Sequence, residues 1–191
     1  GVMHGPYKKG RRAWRTGYAR PMTTEETPTP QSMPRPIAAW IHADRRQDLG
    51  VMKEQLSPEV VLVSPLTDGF TFTGPDEVMA VFESAFALLR DIVIARTTGA
   101  GQEWVIYGEN SLRGRNLEEI QWLRTGEDGL INHITLFIRP ASAAVSLLAS
   151  IGPQLHRRGA MSRLGSVASA GAAPLAAILR LVESRLMPRL K

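Results

Sequence analysis

Between residues 91 and 139 apolar and polar side chains alternate with a period of two in four runs, 91–98, 103–113, 117–124 and 130–139, separated by glycine-bearing turns. Such a pattern with such short connections predicts four antiparallel strands. The clearest pair is LEEIQWLRTGEDGLINHITLFIRP, residues 117–140. Gly126-Glu127-Asp128-Gly129 stands between its two β-rich runs, and the glycines can take the positive φ of a tight antiparallel connection. The last run has apolar residues at both parities, Ile131, Ile134, Leu136 and Ile138 with Phe137. Both faces of the sheet are therefore expected to be covered, one by helices and one by a second copy of the chain.

Upstream the period is helical. Pro36 is placed for a first helical turn, and Ile37, Trp40, Ile41 and Leu49 recur on one face of a helix predicted through Asp48. A short helix over 51–56 follows, then a strand over 59–63 that stops at Ser64-Pro65. Thr67-Asp68-Gly69 is a turn signal and 70–73 a short strand. Gly74-Pro75-Asp76-Glu77 starts a helix running to about Arg90, with Val78, Met79, Val81, Phe82, Phe86 and Leu89 as its apolar stripe. After the sheet, 141–151 reads as a helix ending at Gly152-Pro153, 159–173 as a small-residue linker, and Pro174 as the start of a basic amphipathic helix. In that last helix Leu175, Ile178, Leu179, Val182 and Leu186 share a face that Arg180 and Arg185 avoid.

Charge divides the chain of 191 residues into three parts. Residues 1–21 hold six Lys or Arg and no acid, and residues 154–191 hold six Arg and Lys191 against Glu183. Each end is thus +6; the total is +5, so residues 22–153 carry −7. The basic character belongs to the tails, which removes the support for a nucleic-acid-binding core. Residues 1–35 are rich in Pro, Thr and basic residues and are expected to be disordered. Met22 is a plausible alternative start. The predicted organisation is an extension over 1–35, one α+β domain over 36–152, and a linker with a basic helix over 153–191. With no cysteine there is no disulfide, thiolate metal site or cysteine nucleophile. The four histidines show no metal-binding spacing, and no phosphate-cradling glycine loop occurs, so no metal or cofactor is expected. No leader or spanning segment is read in the pattern; the expected address is the cytoplasm, with the C-terminal helix able to lie on an anionic membrane surface or a protein partner.

The order of elements, together with VVLVSP, FTFTGPDEV and DGLINHITLFIRP, resembles the nuclear-transport-factor-2-like superfamily and especially its SnoaL-like branch over residues 36–152. The resemblance implies a cone-shaped curved antiparallel sheet wrapped by helices, an apolar pocket inside it, and dimerisation through the outer face of the sheet. The superfamily includes steroid isomerases, polyketide cyclases, epoxide hydrolases, dehydratases and non-catalytic members, so the fold leaves the function open. The steroid isomerases use a Tyr in the first helix, an Asp before the Pro that ends the first strand, and a neutral Asp on a late strand. Trp40, Ser64 and Gln121 stand at the matching places here, and none is an acid. The epoxide hydrolases need Asp residues between 91 and 128, where this chain has none. The SnoaL-like cyclases use an acid on the late strands helped by His. Matching the last strand to them puts His133, Thr135 and Phe137 on the inward face opposite Gln121 and Glu119.

The candidate catalytic pair is therefore His133 and Glu119, a neutral-pH proton carrier beside an acid. Trp40, Ser64, Phe82, Arg96, Tyr107, Gln121, Thr135 and Phe137 are the candidate ligand-binding residues. Three functions fit: a small-molecule-binding domain, an isomerase, cyclase or lyase moving protons on a small apolar polyketide- or terpenoid-like substrate, and a non-catalytic dimerisation or membrane-docking module.

Overall fold

The computed structural model describes residues 33–189. The expected disorder of the N-terminal extension and the alternative start at Met22 lie outside these residues. The elements are α1 (Arg35–Arg46), α2 (Leu49–Glu54), β1 (Leu56–Val63), β2 (Phe72–Thr73), α3 (Gly74–Leu88), β3 (Leu89–Ala100), β4 (Glu103–Leu112), β5 (Arg115–Thr125), β6 (Ile131–Arg139), α4 (Ala141–Arg157), α5 (Arg163–Ala170) and α6 (Ala173–Leu181), followed by further helical turns to Arg189. One curved six-stranded sheet has the order β2-β1-β6-β5-β4-β3. β1 runs parallel to β6, and every other neighbouring pair is antiparallel.

Local chemistry explains the starts and turns. Asp48 caps α2 by accepting from Val51 N at 3.1 Å. Pro75 stands in the first turn of α3, where Glu77 reaches back to accept from Thr73 N at 2.8 Å. In the hairpin Gly126 N donates to Leu130 O at 2.8 Å, and Gly129 takes φ +77. The turn predicted from Gly126 and Gly129 forms as expected.

The concave face of the sheet receives α1 and α3. Ile37, Trp40, Val60, Leu62, Val78, Ile106, Leu117, Leu123 and Ile134 are fully buried between them, where each large apolar side chain contributes about 1.5–3 kcal/mol relative to exposure. Two expectations at the C-terminal end are corrected. α4 does not stop at Gly152-Pro153 but continues to Arg157, so Pro153 lies inside the helix, on an exposed position where its missing N–H costs one bond and no burial. The stretch 159–173, expected as a linker, contains the helix α5, whose N-cap Ser162 accepts from Gly165 N at 3.1 Å.

Candidate functional site

The alternation of β4, β5 and β6 decides which side chains face the cone. On β4 the inward set is Trp104, Ile106, Gly108, Asn110 and Leu112; on β5 it is Leu117, Glu119, Gln121 and Leu123. Glu119 and Gln121 thus have the parity read from the sequence. On β6 the inward set is Ile134, Leu136 and Ile138, because Gln121 pairs with Leu136 and Glu119 with Ile138. His133, Thr135 and Phe137 therefore face outward, which corrects the expectation that they line the pocket. The physical cause is a shift in register. Thr125 pairs with Ile131 but Arg124 pairs with His133, leaving Asn132 as an extra residue. Counting by two from Ile131 leads to His133, whereas the bulge turns the following residues over.

The cavity lies between the sheet, α3, α4 and the loop over 64–71. Its walls are mostly aliphatic and aromatic, with Leu62, Phe72, Phe82, Phe86, Leu136, Ile138, Leu147 and Ile151 among them. Its volume is about 70 Å³, well under the roughly 300 Å³ at which ligand sites usually begin. The loop over 64–71 brings Ser64, Leu66 and Phe70 to the wall and narrows the space. Besides Ser64 and Thr67 of the loop, Asp44 from α1, Asn110 from β4 and Glu119 from β5 bring polar side chains to this apolar space.

Behind them Gln121 joins the two acids. Its Nε2 donates to Asp44 Oδ2 at 2.8 Å and to Glu119 Oε1 at 3.2 Å. Its Oε1 accepts from Trp40 Nε1 at 2.9 Å. Because an indole nitrogen only donates, the amide orientation is fixed and both amide protons point at carboxyls. Trp40 is held in turn by an edge-on contact with Phe82, 5.1 Å between centroids. Gly108, paired with Glu119, leaves room for it: a Cβ there would lie 3.2 Å from Glu119 Cγ.

Burial pushes the Asp44 carboxyl from its ordinary 3.8 up to about 7, with the nearby charge of Glu119 adding to the rise and the Gln121 hydrogen bond and Arg45 opposing it. Burial also raises Glu119, against the pull of Gln121 and the neighbouring Asn110. Both carboxyls therefore hold a proton more tightly than ordinary acids do, and each opposes the ionisation of the other. Asn110 is only 4% exposed; its amide lies close enough to Glu119 to ease that carboxyl's ionisation, yet neither Nδ2 nor Oδ1 reaches a partner with the geometry of a full hydrogen bond. A buried amide without partners is costly, of order 1–3 kcal/mol, unless something pairs with it.

The remaining sequence candidates lie elsewhere. Ser64 lines the cavity and its Oγ also accepts from Leu66 N at 3.1 Å, holding the turn. Trp40 and Gln121 stand behind the wall rather than in it. Arg96 pairs with Tyr107 across β3 and β4, and both lie on the outer face in a shallow groove with Glu109; they do not reach the cone, because they have the opposite parity from Ile106 and Asn110. On that outer face His133 Nε2 lies 3.2 Å from Thr135 Oγ1, and partial burial and then Arg124 lower its pKa. Among the described residues no group of three or more His, Asp or Glu is placed to hold a metal ion.

Asp44 and Asn110 were missed in the sequence. The signal for Asp44 was present, since Ile37, Trp40, Ile41 and Asp44 are spaced i, i+3, i+4, i+7 and share the buried face of α1. Asn110 follows from the same alternation that buries Ile106.

No protein-family model matches the sequence, and no curated protein matches it. Solved structures do match. A steroid delta-isomerase from Pseudomonas aeruginosa superposes with a TM-score of 0.59 at 23% identity, over 64% of this chain and 90% of that one. An uncharacterised bacterial protein with a cystatin-like fold from Silicibacter pomeroyi gives 0.62 at 21% identity, over 66% and 89%. At such identities the likeness carries the fold alone, and that fold is the cone of a curved sheet wrapped by helices expected from the order of elements.

Proposed function

We propose that this nuclear-transport-factor-2-like cone binds a small, mostly apolar molecule bearing one polar group, and moves a proton on it with Asp44 as acid and Glu119 as base. The observation that carries the reading is the buried Asn110 amide, which faces an apolar cavity without a well-formed hydrogen bond beside two carboxyls of raised pKa. A carbonyl or hydroxyl oxygen on the ligand would pair with Asn110 Nδ2, and the protonated Asp44 would share that oxygen as charge develops on it. Glu119, desolvated beside it, would in its carboxylate form take the proton from the adjacent carbon. The class is an isomerase, cyclase or lyase, with Phe82 and the aliphatic wall excluding water. His133, on the other side of the sheet, has no part in this scheme.

The test is solvent exchange of α-protons in small cyclic enones, followed by proton NMR in deuterated buffer. Wild type is expected to catalyse exchange, and Glu119→Gln to lose it by a factor of about 100 or more. Binding of the enones with no exchange above buffer would reduce the cone to a non-catalytic ligand-binding domain.

The outer face supports a second part of the reading, a homodimer through the sheet. Val93, Ile120, Trp122 and Phe137 are exposed there, with Phe137 at 50%. Glu109 and Glu118 are paired side by side there, with Arg139 across from Glu118 and Arg96 across from Tyr107, so the face holds both signs of charge, which a two-fold contact can set against each other.

A further inference from the structure

The C-terminal helices are inside out by the standard of a surface helix in water. A helix lying on a soluble domain buries its large apolar stripe and shows its polar side. α5 and α6 bury Ser166, Ser169 and Ala176 against the protein. Ser169 Oγ donates to Leu148 O, Arg180 Nη1 donates to Ser146 Oγ at 3.0 Å, and Ser142 N donates to Glu183 Oε1 at 3.4 Å. The other side shows Leu164 at 83%, Val167 at 66%, Ile178 at 59% and Leu181 at 53% exposed, with Leu175 and Leu186 beside them. Among the described residues Arg163–Arg189 is also the one helical stretch long and apolar enough to cross a membrane, by length and composition alone.

The exposed charges along this C-terminal stretch have one sign. Arg157, Arg163, Arg185 and Arg189 are exposed, whereas Glu183, the one acid of residues 154–191, is turned toward Ser142. Next to α6 a polar cleft is lined by Arg113, Arg115 and Arg180, with Glu183 as the one acid among them. A second copy of the same face would set arginine against arginine, which selects against self-association. Apolar side chains framed by arginines match an anionic lipid surface, where the apolar stripe enters the acyl boundary and guanidinium groups meet phosphates.

We propose that α5, α6 and the turns to Arg189 dock this protein on an anionic membrane surface, with Leu164, Val167, Leu175, Ile178 and Leu181 entering the lipid. The attachment is peripheral. The opposite side of the same helices stays on α4 through Ser169 and Arg180, and α4 also supplies Leu147, Leu148 and Ile151 to the cavity. The inference stands on residues outside the proton-transfer site and holds whatever the cone binds.

The test is co-sedimentation of the full chain with vesicles of phosphatidylcholine alone and with phosphatidylglycerol added. Because residues 1–21 carry six further cations, the comparison is with variants that keep them. Wild type is expected to pellet with the anionic vesicles and to be released by raised salt. Leu175→Asp with Ile178→Asp, both at exposed positions and checked by an unchanged thermal melt, is expected to bind at least about tenfold more weakly. Arg185→Gln and Arg189→Gln should each weaken binding roughly fivefold. Equal pelleting of the apolar double variant, no pelleting of wild type with anionic vesicles, or retention in high salt would each overturn the proposal.

Discussion

Asp44 is the residue on which stability and chemistry pull in opposite directions. Its carboxyl ionises at about 7 in the folded chain against an ordinary 3.8, so between these values the folded state holds a proton that the unfolded chain has released. Stability from this group is fully present below about pH 4 and is lost as pH rises through 7. Asp44→Asn removes the penalty. Its side-chain oxygen can still accept from Gln121, so the variant is expected to be more stable than wild type at pH 8, by an amount of order 2–4 kcal/mol, and indistinguishable at pH 4. Denaturant melts at the two pH values measure it, and an equal offset at both would mean that Asp44 is not the titrating group. The same substitution should abolish proton transfer, the expected trade between a strained acid and a stable fold. Glu119, also raised by burial, predicts the same sign for Glu119→Gln.

At the scale of elements, the sequence pattern carried most of the fold and half of the site, and the division has a physical reason. Period-two alternation, the Gly126–Gly129 turn and the Pro75 helix start each act within a few residues, so the strands, the hairpin and α3 were legible. Gln121 and Glu119 were read on the correct face because β5 is regular throughout. β6 was not, since the extra residue at Asn132 is set by pairing with β5 and leaves no mark in a run apolar at both parities. The end of α4 was hidden for a related reason. Gly152-Pro153 reads locally as a stop, yet Gly152 is where α5 crosses: a Cβ there would lie 2.5 Å from Ser169 Cβ. Gly152→Ala is therefore expected to loosen α5 and α6 at a cost of about 1–3 kcal/mol, seen as faster amide exchange over 163–181 with the cone unchanged. Adding Ser169→Gly should restore protection. Faster exchange throughout the chain in the single variant would instead make the crossing part of the global core.

Over the whole molecule, the segregation of charge assigns separate tasks to separate surfaces. The −7 of residues 22–153 lies between ends of +6, so an anionic surface attracts the C-terminal helices and repels the body. The outer sheet face mixes both signs, with Arg139 Nη1 and Glu118 Oε2 at 3.1 Å, and at its centre are Ile120, Trp122 and Phe137. Exposed ion pairs add little to affinity, so the apolar trio must supply most of any dimer's free energy. Trp122, 38% exposed in the single chain, stands beside the half-exposed Phe137 as one of the two side chains with most area to lose. Trp122→Glu is expected to convert a dimer to a monomer in sedimentation velocity and to make the melting temperature independent of protein concentration. Because Trp122 points away from Asp44, Asn110 and Glu119, α-proton exchange per chain should persist in that monomer. If monomer formation also abolishes exchange, the cone depends on its partner for its shape, and the pocket and the sheet face are then one functional unit.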